Sequence, residues 1–335
     1  MKRAAIHLDE VARRDHLAWA FWRAALGKRH RPEVQRFAAR LDENLDLLRA
    51  EILAGTVEVG NFDRFEIYDP KRRTIHAPCF RERVLHHALM VHLDPVFDRY
   101  LVDDTYACRT GKGSWAAVLR AQQHGRRWPW FLKLDVRSYF ASIDHAVLKR
   151  LIRSRIKGAG VLHLVDRIIN AYETTPGRGL PIGALTSQHF ANLYLAPLDR
   201  HLLEELRVPG LVRYMDDVVV WHRDRLSLRR VLETVHLFAC ERLKLEIKPN
   251  WQLQRSSRGL SLCGFRIHPM RLGLSARRRR RYRRARAKWE AAHRSGQIGA
   301  GALQAGYASA LAISHGADAV AWRRKELEIR PPLDA

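Results

Sequence analysis

Three carboxylates occupy positions where strands seldom carry them. Asp135 ends the stretch FLKLD, and Asp216 and Asp217 interrupt LVRYMDDVVVWH. Strands deplete Asp because its short side chain bonds its own backbone in turns. In FLKLDV, Leu132, Leu134 and Val136 project to one side, and Phe131, Lys133 and Asp135 to the other. Asp216 and Asp217 fall at the expected tip of a hairpin between LVRYM and VVVW. If these strands are neighbours, three carboxylates converge and repel one another. A divalent cation relieves that conflict, and Mg²⁺ favours a few carboxylates combined with phosphate oxygens and water. Two such ions about 3.5–4 Å apart clamp an in-line phosphoryl displacement, one activating a hydroxyl and the other stabilising the leaving oxygen. An ordinary reading competes, because Asp tolerates turn conformations and an Asp pair at a hairpin tip is common. Asp144 is better explained as the N-cap of HAVLKRLIRS and is left out of the set.

The elements that must position these acids are legible from periodicity. Roughly the first 55 residues read as helices, with Phe37, Leu41, Leu45, Leu48 and Ile52 on one face and Gly55 as a stop. VEVGNFDRFEIYDPKRRTIHAP alternates around a turn at Asp69-Pro70 and predicts a hairpin. RERVLHHALMVHL returns to helical spacing. A helix follows Asp144, and another covers 161–173. TTPGRGLPIG is a loop, ALTSQHFANLYL opens a helix, 226–245 is helical, and GLSLCGFRIHP is a strand pair. The tail RLGLSARRRRRYRRARAK holds nine Arg and one Lys with no acid. Ser275 is its expected N-cap, with Tyr282, Ala285 and Trp289 along one face and arginines around the rest.

The 335 residues, 47% of them hydrophobic, suffice for a large core divided into two or three subdomains. A formal net charge of +25 identifies the expected partner as a polyanion, and nucleic acid is the commonest. No apolar run approaches the roughly 18 residues of a membrane span, and the N-terminus lacks a signal-peptide core. Cys79, Cys108, Cys240 and Cys263 form no CxxC pair and no Cys/His cluster, so a reducing cytoplasm is the expected compartment. TGKGS at 110–114 lacks the spacing of a phosphate-binding loop.

Order and context favour the catalytic reading. Over roughly residues 60–275 the chain resembles the reverse transcriptases. FLKLDVRSYF is similar to their first catalytic motif and YMDD to the second, with GLPIGALTSQ between them. SLCGF stands where the primer-gripping turn belongs, and PKRRTIHAPCFRERV and TYACRTGKGS match two fingers motifs. The resemblance implies an α+β right-hand polymerase: a helical N-terminal region (1–58), fingers (59–130), an antiparallel-sheet palm (131–268, with a helical insertion at about 145–180) and a basic helical thumb (269–335). It implies catalysis by Asp135, Asp216 and Asp217, and metal ligation by these with Val136, using two Mg²⁺ ions or Mn²⁺. Nucleotide binding falls to Lys71, Arg73, Phe140, Ile182 and Gln188. Template or primer binding falls to Gly183, Ser187, Tyr214, Met215, Gly264, Arg277, Arg280 and Arg284. Phe140, five residues beyond Asp135, lies in the family under the incoming sugar, where it opposes a 2′-hydroxyl and selects dNTPs. Lys and Arg suit a triphosphate, one as a point charge and the other as a fork of donors. Arg72, Arg81 and Arg83 remain unranked beside them. Lys248 is a candidate proton donor to pyrophosphate.

Within the family, Pro181-Ile182-Gly183 followed by Ser187-Gln188 is similar to the reverse transcriptases of diversity-generating retroelements, as is RYMDD. That resemblance implies error-prone copying of a template-repeat RNA, with errors opposite adenine, and a small basic accessory protein forming a helical pentamer. The partners are then template RNA, the RNA/DNA duplex and dNTPs, with no membrane. The alternatives are a group II intron-like or host-defence reverse transcriptase, an inactive RNA-binding scaffold, and an RNA-templated RNA polymerase, which Phe140 disfavours.

Overall fold

The structure is a computed structural model that describes residues 2–68 and 72–333. The expected turn at Asp69-Pro70 and the candidate Lys71 lie outside the described residues. The chain begins with β1 (Ala4–Ala5), α1 (Leu8–Val11), α2 (Arg14–Ala25), α3 (Pro32–Ala39) and α4 (Leu41–Ala54). Leu45, Leu48 and Ile52 turn the face of α4 inward, and Gly55, at φ +71°, ends it as the periodicity predicts. The hairpin β2 (Phe62–Tyr68) and β3 (Arg72–Pro78) follows, pairing Phe62 with Pro78 and Tyr68 with Arg72. Helices α5 (Phe80–Asp98) and α6 (Ser114–Arg127) lead to the central strand β4 (Trp130–Asp135).

After β4 come α7 (Tyr139–Ser142), α8 (His145–Arg153), β5 (Ile156–Lys157) and α9 (Ala159–Asn170). Asp144 caps α8 by accepting from the Val147 amide at 3.0 Å, as expected. The helix expected at 161–173 thus begins and ends slightly earlier, because the chain leaves it at Ala171 to enter the turn-rich loop. β1 pairs in parallel with β5, which ties the N-terminus to the middle of the chain. Helices α10 (Leu185–Tyr194) and α11 (Ala196–Arg200) precede the hairpin β6 (Gly210–Tyr214) and β7 (Asp217–His222), then α12 (Arg225–Leu243) and β8 (Gln252–Arg255).

These strands form one antiparallel sheet ordered β6-β7-β4-β8. Its inner strands are apolar on both faces because both faces are covered. Leu132, Leu134, Val218 and Val220 enter the core shared with the helices. Phe131, Val212, Val219 and Trp221 face a second apolar cluster, with Leu260, Leu262 and Phe265. That cluster is closed by α6 and by a second antiparallel sheet of β9 (Leu260–Leu262), β10 (Phe265–His268) and β11 (Arg271–Leu274). Cys263 and Gly264 join β9 to β10 with φ of +46° and +83°, the two positive values that a tight right-twisting hairpin requires.

The sequence pattern does not anticipate β11, and the strand moves the expected boundary at residue 269. It belongs with β10, so the basic helical segment starts at Ser275. Ser275 caps α13 (Ala276–Arg294), accepting from the Arg278 amide at 3.3 Å, and α14 (Ala300–Ala312) and α15 (Val320–Ile329) complete the chain. The Ser275 amide also donates to the Gly264 carbonyl at 3.1 Å, and the Arg278 guanidinium lies over Phe265. The start of α13 is thereby fixed to the β9–β10 turn. The four cysteines are unpaired thiols, and no described helix is long and apolar enough to cross a membrane.

Candidate active site on the central sheet

The neighbouring strands required for the acids to converge are present. β4 pairs with β7, and Asp135 stands directly opposite Asp217. Tyr214 pairs with Asp217, which leaves Met215 and Asp216 as the two-residue turn between β6 and β7. Met215 takes φ +56°, an uncommon conformation for a residue with a side chain. The turn projects Asp216 beside the two strand-borne acids.

The three carboxylates differ in their surroundings. The Lys248 ammonium pairs with Asp135, and the Lys248 amide donates to the Asp135 carbonyl at 2.9 Å. Lys133 pairs with Asp217 at 2.7 Å. Asp216 has no such cation among the described residues. Burial, reinforced by the charges of Asp135 and Asp217, pushes its carboxyl up to about 6. Among the described residues, no group of three or more His, Cys, Asp or Glu is already gathered to hold a metal ion. The donor chemistry nevertheless suits a hard cation, because these are carboxylate oxygens with one unneutralised member among like charges. Val136 is buried on the opposite side and bridges Ile247, so only its backbone is available to a metal.

A buried network that sequence reasoning missed holds the hairpin. Arg213 is fully buried, and its Nε donates to Asp199 at 2.7–2.8 Å. Its terminal nitrogens donate to the Asn192 side chain at 2.8 Å, to the Asn192 carbonyl at 2.9 Å and to the Met215 carbonyl at 3.1 Å. Thr105 donates to Asp199 at 2.9 Å. The available signal is an arginine inside an otherwise apolar strand, but its partners are distant in sequence. The strand alternation places Lys133 on the acid face and gives no sign of its salt bridge.

Beside the acids, Tyr139 is buried and its hydroxyl donates to the Ala191 carbonyl, while Phe140 is half-buried. The Phe140 carbonyl accepts from the Leu180 amide at 2.8 Å, fixing the loop beneath it. Phe140 and Ile182 share a cavity of about 200 Å³ with Arg64, Thr74, His76 and Tyr172. The His76 amide donates to the Ile182 carbonyl at 2.8 Å. Gly183, at φ +126°, lies where a Cβ would stand 2.8 Å from Ile75 and 3.0 Å from the His76 carbonyl. Its surroundings therefore give it a packing role against β3. Ser187 is buried on α10, while Gln188 is exposed and accepts from Cys108 at 3.5 Å.

The remaining basic candidates separate clearly. Arg72 donates to Glu66 at 2.8 Å, Arg81 pairs with Glu51 at 2.5 Å, and Arg83 donates to the Pro78 carbonyl at 2.8 Å. Arg73 is exposed and makes no ion pair among the described residues. On α13, Arg277, Arg280, Arg281 and Arg284 face outward. Arg279 lies over Trp322, Arg283 pairs with Glu326, and buried Arg286 pairs with Glu290 at 2.7 Å. The expectation that the arginines surround one aromatic stripe is thus corrected, since about half of them pack the helix onto its neighbours.

An antiparallel sheet with acids on adjacent inner strands, helices behind it and a two-residue acid turn defines the palm of a right-hand polymerase. Residues 69–253 match the family described as reverse transcriptase (RNA-dependent DNA polymerase), and the chain belongs to that family. It is 27% identical over 181 residues to Protein YkfC of Escherichia coli (strain K12), covering 50% of this chain and 47% of that protein. It is 26% identical over 141 residues to the group II intron-encoded protein LtrA of Lactococcus lactis subsp. cremoris, covering 40% of this chain and 23% of that protein. The aligned region is thus about half or less of the length of these relatives. Among solved structures, telomerase from Candida Tropicalis in complex with the TWJ fragment of telomeric RNA shares 10% identity, with a TM-score of 0.48, 86% of this chain covered and 59% of that one.

Proposed function

We propose that the protein is an RNA-templated DNA polymerase acting by two-metal phosphoryl transfer. The observation that carries this reading is the opposition of Asp135 and Asp217 on paired strands with Asp216 in the adjoining turn. Asp135, Asp216, Asp217 and the Val136 backbone would hold divalent ions, Mg²⁺ or Mn²⁺. Such ions, when bound, supply the charge that activates a primer hydroxyl and stabilises the departing pyrophosphate. Phe140 limits the sugar to one without a 2′-hydroxyl, Ile182 lines the nucleotide side, and Arg73 with Lys71 receives the triphosphate. Lys248 delivers the proton to pyrophosphate.

On this reading the helical N-terminal region, fingers and palm keep the limits proposed from the sequence, except that the palm extends through β11 and the thumb begins at Ser275. Gln188 joins Ile182 on the nucleotide side, Tyr214, Met215 and Gly264 line the path of template and primer, and the outward arginines of α13 hold the duplex backbone. Template RNA, the RNA/DNA duplex and dNTPs are the partners.

Two finer readings divide on specific observations. Ile182-Gly183 with Ser187-Gln188 favours the diversity-generating type, with error-prone cDNA and a small basic accessory pentamer. The likeness to the LtrA protein favours a group II intron-like enzyme. Primer extension on RNA with Mg²⁺ and dNTPs, read by sequencing, tests both. cDNA from the wild type and none from Asp216→Asn supports the polymerase. Errors concentrated at template adenines support the diversity-generating type, and faithful product supports the intron-like type. Equal product from wild type and Asp216→Asn would overturn the polymerase reading.

A further inference from the structure

Lys133 does more than neutralise an acid. It leaves β4 two residues before Asp135, on the same face, at the edge of the apolar cluster containing Phe131, Val219 and Leu262. Its ammonium pairs with Asp217 at 2.7 Å and donates to the Ser261 carbonyl of β9 at 3.0 Å. Ser261 precedes the Cys263–Gly264 turn by two residues. One side chain therefore joins the central strand, the acid hairpin and the three-stranded sheet. The rest of the packing between the two sheets is apolar and has no directional preference. Charged hydrogen bonds do have one, and a lysine with only 18% of its side chain exposed has few other partners to choose from.

We propose that Lys133 is a positioning residue that couples the β9–β10 hairpin to the acid hairpin and competes with the metal ion for Asp217. The inference rests on the polymerase reading for its catalytic consequence, but its electrostatic consequence does not depend on turnover. Lys133 and a metal ion compete for Asp217. Removing the ammonium favours metal binding while releasing the registration between the two hairpins. The two effects have opposite signs, which a residue serving stability alone would not produce.

The test uses the full chain with Lys133→Met, Lys133→Arg, Asp217→Asn and the double variant Lys133→Met/Asp217→Asn. Mn²⁺ binding is titrated by electron paramagnetic resonance, and single-nucleotide extension of a primed RNA is followed under single-turnover conditions. Lys133→Met keeps the length of the aliphatic stem, and its thermal melting is measured alongside. The expected result is several-fold tighter Mn²⁺ binding by Lys133→Met, together with extension slowed about 10–100-fold, a loss typical of small misplacement in a catalytic site. Lys133→Arg should recover much of the rate. With Asp217→Asn already present, Lys133→Met should no longer tighten Mn²⁺ binding. Unchanged or weaker Mn²⁺ binding by Lys133→Met would overturn the proposal, as would independent effects of the two substitutions on it. If the wild type binds Mn²⁺ but makes no DNA, the polymerase reading fails while the Mn²⁺ comparison still decides the role of Lys133 at Asp217.

Discussion

The guanidinium of Arg213 donates to the backbone carbonyl of Met215, 3.1 Å away, from a position with no solvent exposure. Met215 is the left-handed residue of the turn that carries Asp216. The same guanidinium reaches Asp199 and Asn192, so the acid hairpin is registered against α10 and α11 by one planar fork of donors.

Arg213→Lys retains the charge facing Asp199 and loses the fork. Extension should slow by about 10²-fold, as a small misplacement of reacting groups would cause, with the melting transition largely preserved. Arg213→Met strands Asp199, a fully buried carboxylate whose pKa burial already raises. It should cost about 3–5 kcal/mol, measured by urea unfolding.

Asp216 gives a pH signature. Its carboxyl is pushed up to about 6 in the folded, metal-free protein, above its ordinary value. The folded state then binds this proton more tightly than the unfolded chain. Its contribution to stability is therefore greatest in acid and declines as pH rises toward 6. A divalent ion must displace the proton, so stabilisation by Mg²⁺ should grow as pH rises through about 6. Melting curves with and without Mg²⁺ from about pH 5 to 8 check this. Asp216→Asn should remove this group's pH-dependent contribution.

Gly183→Ala should loosen β3. The new methyl meets Ile75 and the His76 carbonyl at φ +126°, where strain of about 1–3 kcal/mol is expected. The melting temperature should fall, and the KM for dNTP should rise several-fold because Arg73 rides on the same strand.

The arginines of α13 should separate by assay. Arg280→Ala/Arg284→Ala should flatten the log–log salt dependence of duplex binding by about 0.9 for each phosphate left unneutralised, with melting unchanged. Arg286→Ala should lower stability and affect the salt slope little. The cost should lie near the lower end of the roughly 3–5 kcal/mol for a broken buried pair, since Arg330 still reaches Glu290 at 3.0 Å. A salt-insensitive affinity would remove α13 from the duplex interface.

Ile182→Gln tests whether this residue sets the fidelity that the diversity-generating reading predicts to be low. The side chain lines the cavity beside Phe140 without a hydrogen bond to offer. A restored bond worth about 1 kcal/mol should lower misincorporation at template adenines about fivefold. Sequenced cDNA with an unchanged error rate would separate Ile182 from fidelity.

Local rules make much of this visible before any coordinates. Asp144 and Ser275 announce their helices because a cap joins residues three apart. The strand stretches announce Asp135, Asp216 and Asp217 because acids violate the period-two apolar pattern. What stays hidden depends on long-range packing. Arg213 meets Asp199 only after the chain folds back, and Lys133 meets Ser261 across a gap of 128 residues. β11 escapes notice because four residues beside an arginine-rich helix carry little pattern of their own. The division among the α13 arginines is invisible because all nine basic residues from 277 to 288 look alike until Trp322, Glu326 and Glu290 arrive from elsewhere.

The joint between Ser275 and Gly264 has a mechanical meaning. With the Ser275 amide on the Gly264 carbonyl and Arg278 across Phe265, α13 tilts only by carrying the Cys263–Gly264 turn with it. A duplex held by α13 as proposed would therefore work a lever whose short arm ends at the Cys263–Gly264 turn. A broad A-form hybrid and a slimmer DNA duplex would set that lever at different angles. On the proposed polymerase reading, this joint would register the shape of the product without contact to a single base.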